Sequence, residues 1–174
     1  HYGKTPPCAK LLVESKIKRC VIANFDPNPK VFGGGIKILK DNNIEVTTDV
    51  LKEQGRYVNR RFFCNQEKRR PYIILKFAKT LDGFMDIDRK ENENKSNWIS
   101  NDAMKVWVHK QRGEEDAIIV GMNTIINDNP KLNIRYFFGK NPIRVVLDKR
   151  NTLKSLFNIL DNTQKTIIFN YLED

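Results

Sequence analysis

Ala117-Ile118-Ile119-Val120-Gly121 and Ile143-Arg144-Val145-Val146-Leu147-Asp148 are short, nearly continuous apolar runs. Runs of this kind form strands covered on both faces, as in sheets flanked by helices. Before the first run, Ala103/Trp107 and Met104/Val108 pair at helical spacing, which predicts a helix with Ser100 as its cap. Further back, Tyr72-Ile73-Ile74-Leu75-Lys76-Phe77-Ala78 reads as a strongly buried strand, and residues 82–97 read as a polar loop. After the second run, Thr166-Ile167-Ile168-Phe169-Asn170 is strand-like. Strands separated by helical or polar stretches imply an α/β architecture.

The first 70 residues repeat that alternation. Pro6 and Pro7 suit a helix start, and Leu11, Leu12 and Val13 carry the helix to Ser15. Cys20-Val21-Ile22-Ala23 predicts a buried strand with Cys20 in the core, and Ile44-Glu45-Val46-Thr47-Thr48 alternates like a strand. Ile36 to Lys40 forms one helical stretch ending at Asn42-Asn43. From Val50 to about Gln66, the spacing of Leu51, Tyr57, Val58, Phe62 and Phe63 predicts one longer helix, with Gly55 as its weak point. Gly33-Gly34-Gly35 reads as a turn, because it lacks the spacing of a dinucleotide-binding loop. Lys68-Arg69-Arg70-Pro71 reads as a linker, since a residue before proline is pushed to extended geometry. The expected division is therefore 1–70 and 71–174.

Composition narrows the function. The 174 residues are 40% hydrophobic and 30% charged, enough to bury a core. No apolar run approaches the roughly 18–20 residues of a membrane helix. Three scattered cysteines, Cys8, Cys20 and Cys64, make no disulfide framework, and the expected setting is cytoplasmic. The net charge of +10 is uneven: residues 1–70 hold 15 Lys and Arg against 7 Asp and Glu. The basic residues mostly stand singly between apolar ones, so a solvated surface is the simpler reading than a nucleic-acid face.

The octapeptide His1-Tyr2-Gly3-Lys4-Thr5-Pro6-Pro7-Cys8 is the most specific stretch. A cysteine at a helix start favours thiolate and so suits a metal. The stretch resembles the second half of the zinc signature of the riboflavin-pathway pyrimidine deaminases, within the cytidine-deaminase-like superfamily. That resemblance implies Cys8 as a zinc ligand, with His1 and Lys4 lining the substrate. Asp26-Pro27-Asn28-Pro29 also resembles this family, which places Asp26 and Asn28 near the ribose-phosphate end of the substrate. In the family a His-Ala-Glu segment and a further cysteine precede the position of His1. Those hold the other zinc ligands and the proton-shuttling glutamate. The expectation is thus an internal fragment with no complete catalytic set, no deamination and no stoichiometric zinc of its own.

Residues 71–174 are similar to the reductase domain fused behind that deaminase, whose fold resembles dihydrofolate reductase. The similarity runs through Lys76-Phe77-Ala78-Lys79-Thr80-Leu81-Asp82-Gly83, Ser96-Asn97-Trp98-Ile99-Ser100, Arg112, Val120-Gly121-Met122-Asn123-Thr124 and Asp128-Asn129-Pro130-Lys131-Leu132-Asn133-Ile134-Arg135. It implies NADPH contacts at Ala78, Trp98, Thr124 and Asp128. It implies substrate contacts at Ser96, Arg112, Leu132 and Arg135. The expected fold is the C-terminal part of a deaminase domain followed by the N-terminal part of a reductase domain. The expected partner is a phosphorylated pyrimidine, not nucleic acid or membrane, and a homo-oligomer is compatible with the sequence.

Elementary chemistry is in line with parts of this. Arginines offer bidentate donors to a phosphate, which lysine cannot copy. Trp98 offers a flat apolar wall, and Asp128 before Asn-Pro sets a carboxylate at a turn. Taken singly, each has an ordinary reading: core packing for Trp98, a surface helix residue for Arg112, a turn former for Asp128. Two alternatives belong to other classes: a nucleoside or nucleic-acid deaminase with an accessory domain, and a basic nucleic-acid-binding module. Failure to bind NADPH would favour the first, and a steep salt dependence of nucleic-acid affinity the second.

Overall fold

The computed structural model describes residues 7–29, 31–90 and 97–171. The chain forms two compact α/β units, His1–Leu75 and Lys76–Asp174.

In the first unit, helix α1 (Cys8–Glu14) leads to strand β1 (Arg19–Ile22), helix α2 (Gly34–Asp41) and strand β2 (Glu45–Thr48). The strands pair in parallel, Arg19 opposite Glu45 and Ile22 opposite Thr48. A parallel pair needs a crossover, and α2 supplies it. Gly33 stands just before α2 with φ of 70°, a left-handed conformation that glycine adopts without a Cβ penalty. The turn reading holds for Gly33 alone, since Gly34 and Gly35 already belong to the first turn of α2. The buried residues here are Leu39, Ile44, Phe63 and Cys64. Cys20 is half-buried rather than core, and Val21 is exposed, because the two strands this sheet has among the described residues leave β1 thinly covered.

The single long helix expected over 50–66 is two helices, α3 (Lys52–Val58) and α4 (Arg60–Lys68). They part at Asn59, not at Gly55. The Asn59 side chain and its own N–H both donate to the Gly55 carbonyl, closing the last turn of α3. Gly55 serves instead as a contact point. A Cβ there would overlap the Asn24 side chain and stand 2.8 Å from the Ala23 Cβ.

In the second unit, helix α5 (Asp102–Glu114) precedes strand β3 (Ala117–Gly121), helix α6 (Met122–Asp128), strand β4 (Ile143–Leu147) and strand β5 (Thr166–Phe169). All strand pairs are parallel, in the order β3-β4-β5, with Ala117 opposite Ile143 and Arg144 opposite Thr166. The core gathers Ile125, Leu132, Val146 and Ile159 beneath this sheet. Two expectations need correction. The cap of α5 is Asn101, whose side chain accepts from the Met104 N–H at 3.0 Å, so the helix starts after Ser100 rather than on it. Residues 71–80 form no strand, and Ile73, Leu75 and Phe77 are exposed. An apolar run favours extended backbone, but a strand also needs an edge to pair with. No described strand supplies one to this run. Among the described residues no helix is long and apolar enough to cross a membrane.

Candidate functional site

Helix α5 carries His109 and Arg112 one turn apart, and Gly113 follows them. A Cβ at Gly113 would meet the Phe138 carbonyl oxygen at 3.2 Å and the Ile134 Cδ1 at 3.1 Å. The missing side chain thus lets the loop over 129–142 settle directly onto the helix. The Asn141 Oδ1 accepts from the Ile134 N–H at 2.8 Å and tightens that loop.

Both arginines then converge on one residue. Arg112 Nη1 donates to the Asn133 carbonyl at 2.6 Å, and Arg135 Nη1 donates to the Asn133 side-chain oxygen. No carboxylate forms an ion pair with either guanidinium among the described residues. Burial, and then the charge of Arg135, push the Arg112 pKa below its ordinary value. Arg112 still stays charged, as arginine does in proteins. Its Nε is buried with no hydrogen-bond partner among the described atoms. Two like charges with spare donors and no carboxylate partner among the described residues have the chemistry to accept an oxyanion.

His109 lies at the centre of this arrangement and is 5% exposed. Its Nδ1 accepts the Arg135 backbone N–H at 3.0 Å, and its ring meets Tyr136 edge-on with centroids 4.9 Å apart. Burial first, then the charges of Arg112 and Arg135, push its pKa down to about 4.

The other expected residues fall into separate groups. Leu132 has its side chain in the core, beside the arginine-bearing loop. Thr124 and Asp128 stand one turn apart on the same face of α6. Arg89 grips Asp86 through two nitrogens and reaches Asp128 at 3.8 Å, a link that the reading of 82–97 as a plain loop missed. Trp98 is 66% exposed, with the Lys105 ammonium over its ring. Ala78 is half-buried in the unpaired 71–80 segment. No hydrogen bond, ion pair or ring contact among the described residues joins Ala78 or Trp98 to the arginine pair.

In the first unit, Asp26 accepts the Asn28 N–H at 2.8 Å in a local turn, and both are half-buried. Cys8 is an exposed free thiol opening α1, and Cys20 and Cys64 are free as well. No group of three His, Cys, Asp or Glu side chains among the described residues could hold a metal. His1, Lys4 and Ser96 lie outside the described residues. A cleft of about 410 Å³ is lined in part by Arg56, Arg60, Lys68 and Arg70, with the Arg56–Glu67 ion pair along it.

Asn133, Asn141, Gly113 and His109 were not singled out by sequence reasoning. Only the local order of residues 128–135 hinted at Asn133.

Residues 71–174 match the family model described as the RibD C-terminal domain. The riboflavin biosynthesis protein RibD of Aquifex aeolicus (strain VF5) is 40% identical over 149 residues, 85% of this chain and 41% of its own length. That of Bacillus amyloliquefaciens is 40% identical over 171 residues, 97% of this chain and 45% of its own. A diaminohydroxyphosphoribosylaminopyrimidine deaminase/5-amino-6-(5-phosphoribosylamino)uracil reductase of Thermotoga maritima superposes with a TM-score of 0.88 at 38% identity. It covers 100% of this chain and 48% of that one. Acinetobacter baumannii RibD superposes with a TM-score of 0.86 at 34% identity, over 99% of this chain and 49% of its own. The chain spans about half the length of the relatives it matches.

Proposed function

The chain belongs to the RibD family of riboflavin-biosynthesis proteins, and from that membership we propose that residues 71–174 bind a phosphoribosylamino pyrimidine for NADPH-dependent reduction of its sugar. Residues 1–70 are proposed as the C-terminal part of the zinc-dependent deaminase domain, and 71–174 as the N-terminal part of the reductase domain.

The observation that carries the reductase reading is the pair Arg112 and Arg135 on Asn133, positively charged and without a carboxylate partner among the described residues. A substrate phosphate supplies the missing anion. Asn133 holds the two guanidiniums in register, Arg112 from the partly buried side and Arg135 from the exposed side. Leu132 anchors the loop that presents Arg135, through its place in the core.

The cofactor residues fit NADPH in kind. Trp98 presents an exposed aromatic ring with the Lys105 ammonium over it, and Thr124 and Asp128 present a hydroxyl and a carboxylate on one helix face. These residues would hold NADPH and orient it against the substrate, and the bound cofactor would supply the hydride for reduction of the sugar. The described residues do not fit zinc, because Cys8 has no companion ligands among them, so no zinc-dependent step falls to them.

The test is titration of the chain with ribose 5-phosphate, followed through the amide signals of Asn133 and Arg135. Saturable binding is expected. Arg112→Ala or Arg135→Ala should each weaken it roughly 10- to 100-fold, the equivalent of one charged hydrogen bond. Unchanged affinity in both variants would overturn the assignment.

A further inference from the structure

We propose that His109 is a positioning residue of the two-arginine anion site, holding the Arg135 main chain against α5 through its Nδ1 so that the Arg135 guanidinium stands beside that of Arg112. The proposal rests on the phosphate reading above and assigns a role to a residue outside the arginine pair.

Three observations carry it. His109 is buried on the helix that bears Arg112, yet its ring bonds forward, across 26 residues, to the backbone of Arg135 at 3.0 Å. The acceptor must be an unprotonated Nδ1, so the ring is neutral with its hydrogen on Nε2. A doubly protonated ring would have no acceptor for the Arg135 N–H and would add a third positive charge between two guanidiniums. The charged groups that act on the ring are Arg112 from its own helix and Arg135 from the loop, and both disfavour that protonation.

The neighbouring contacts limit other ways of placing Arg135. The loop is fixed at Ile134 by Asn141 and rests on Gly113, where any larger side chain would lift it. Tyr136 packs edge-on against the imidazole, so the residue after Arg135 is held as well. The Arg135 guanidinium itself is exposed, and among the described residues it meets the Asn133 side chain and, at 5.7 Å, the Tyr136 ring. Main-chain anchoring by His109 is what makes an exposed arginine half of a preformed receptor.

Two substitutions separate an anchoring role from mere packing. His109→Asn keeps an acceptor oxygen near the place of Nδ1. His109→Phe keeps the ring and its contact with Tyr136 but removes the acceptor. With inorganic phosphate as the probe, His109→Phe should bind roughly 10-fold more weakly, the value of one ordinary hydrogen bond. His109→Asn should recover most of that loss. In the unsubstituted chain, ring nitrogen shifts should show a hydrogen on Nε2 alone, and the Arg135 amide should exchange slowly with solvent. Equal affinities for the Phe and unsubstituted chains, or a fast-exchanging Arg135 amide, would overturn the positioning role. If phosphate binding is instead indifferent to Arg112→Ala and Arg135→Ala, the anion reading fails. The tautomer and the Arg135 exchange rate then still decide whether His109 anchors the loop.

Discussion

Replacing Arg144 by methionine should destabilise the second unit by roughly 3–5 kcal/mol. Arg144 sits in the middle of the sheet, on β4, and is 0% exposed. Its Nε donates to the Thr166 hydroxyl at 2.9 Å, and Nη1 donates to the Asn158 carbonyl at 3.1 Å. Nη2 donates to the Gln164 carbonyl at 2.9 Å and to Asp161 Oδ1 at 3.0 Å. Methionine fills the space of the arginine stem, so the cavity contribution is small. The loss is electrostatic. Two carbonyls lose a strong donor, at about 1–3 kcal/mol for each acceptor left unsatisfied. Asp161 loses its counter-charge, but it is part-exposed and keeps the Thr163 N–H and hydroxyl, so its share falls at the low end. Thr166 keeps its bond to the Ile159 carbonyl. The assay is urea denaturation followed by tryptophan fluorescence, which reports this unit because Trp98 and Trp107 are the only tryptophans. Arg144→Lys, with the charge but not the planar fork, should fall between the two. A loss under about 1 kcal/mol in Arg144→Met would refute the view that this guanidinium organises the β4–β5 connection.

Two further outcomes follow from particular contacts. The native pKa of His109, about 4, lies below the ordinary 6.5, so the unfolded chain takes up the proton first as pH falls. His109's contribution to stability is complete above about pH 6.5, is lost progressively toward pH 4 and is flat below. That is at most roughly 3 kcal/mol at ~1.4 kcal/mol per pH unit. Denaturation of the unsubstituted chain and His109→Asn across that window should converge on acidification, and a constant difference would contradict the assignment. Gly55→Ala would stabilise an ordinary exposed helix by roughly 1 kcal/mol. Here the new methyl meets Asn24 and Ala23, so a net loss of about 1–3 kcal/mol is expected, read as weakened amide protection in α3.

The sequence showed the alternation of strands and helices clearly wherever the signal was local. The runs at 117–121, 143–148 and 166–170 contain strands β3, β4 and β5, because β-branched residues dominate them. What misled was information carried by other parts of the fold. Residues 72–78 are likewise mostly apolar, but pairing depends on a neighbour that no local pattern specifies. Gly55 looked like a helix breaker because intrinsic propensity is all a single strand of text displays. In the fold it is the place where α3 touches the residues after β1, and the break moves to Asn59, whose side chain competes for the backbone.

The site divides along the same line. Arg112 and Arg135 were expected at the substrate only because the order of motifs around them resembles the reductase family; their residue type alone does not single them out. His109, Gly113, Asn133 and Asn141 could not be named in advance, since each acts on a residue remote in sequence: 26 positions from His109 to Arg135, 21 from Arg112 to Asn133. Nor does a sequence reveal which charges lack a partner. Arg56, Arg89 and Arg144 are as basic as Arg112 and Arg135, but each is matched by a carboxylate, Glu67, Asp86 or Asp161. Matched arginines bind their own chain and hold its shape. Among the described residues the Arg112 and Arg135 pair meets the Asn133 carbonyl and amide oxygens and the Tyr136 ring, which orient a guanidinium without neutralising it. That remaining charge is why we propose this loop, and not the more basic first unit, as the place for a phosphate.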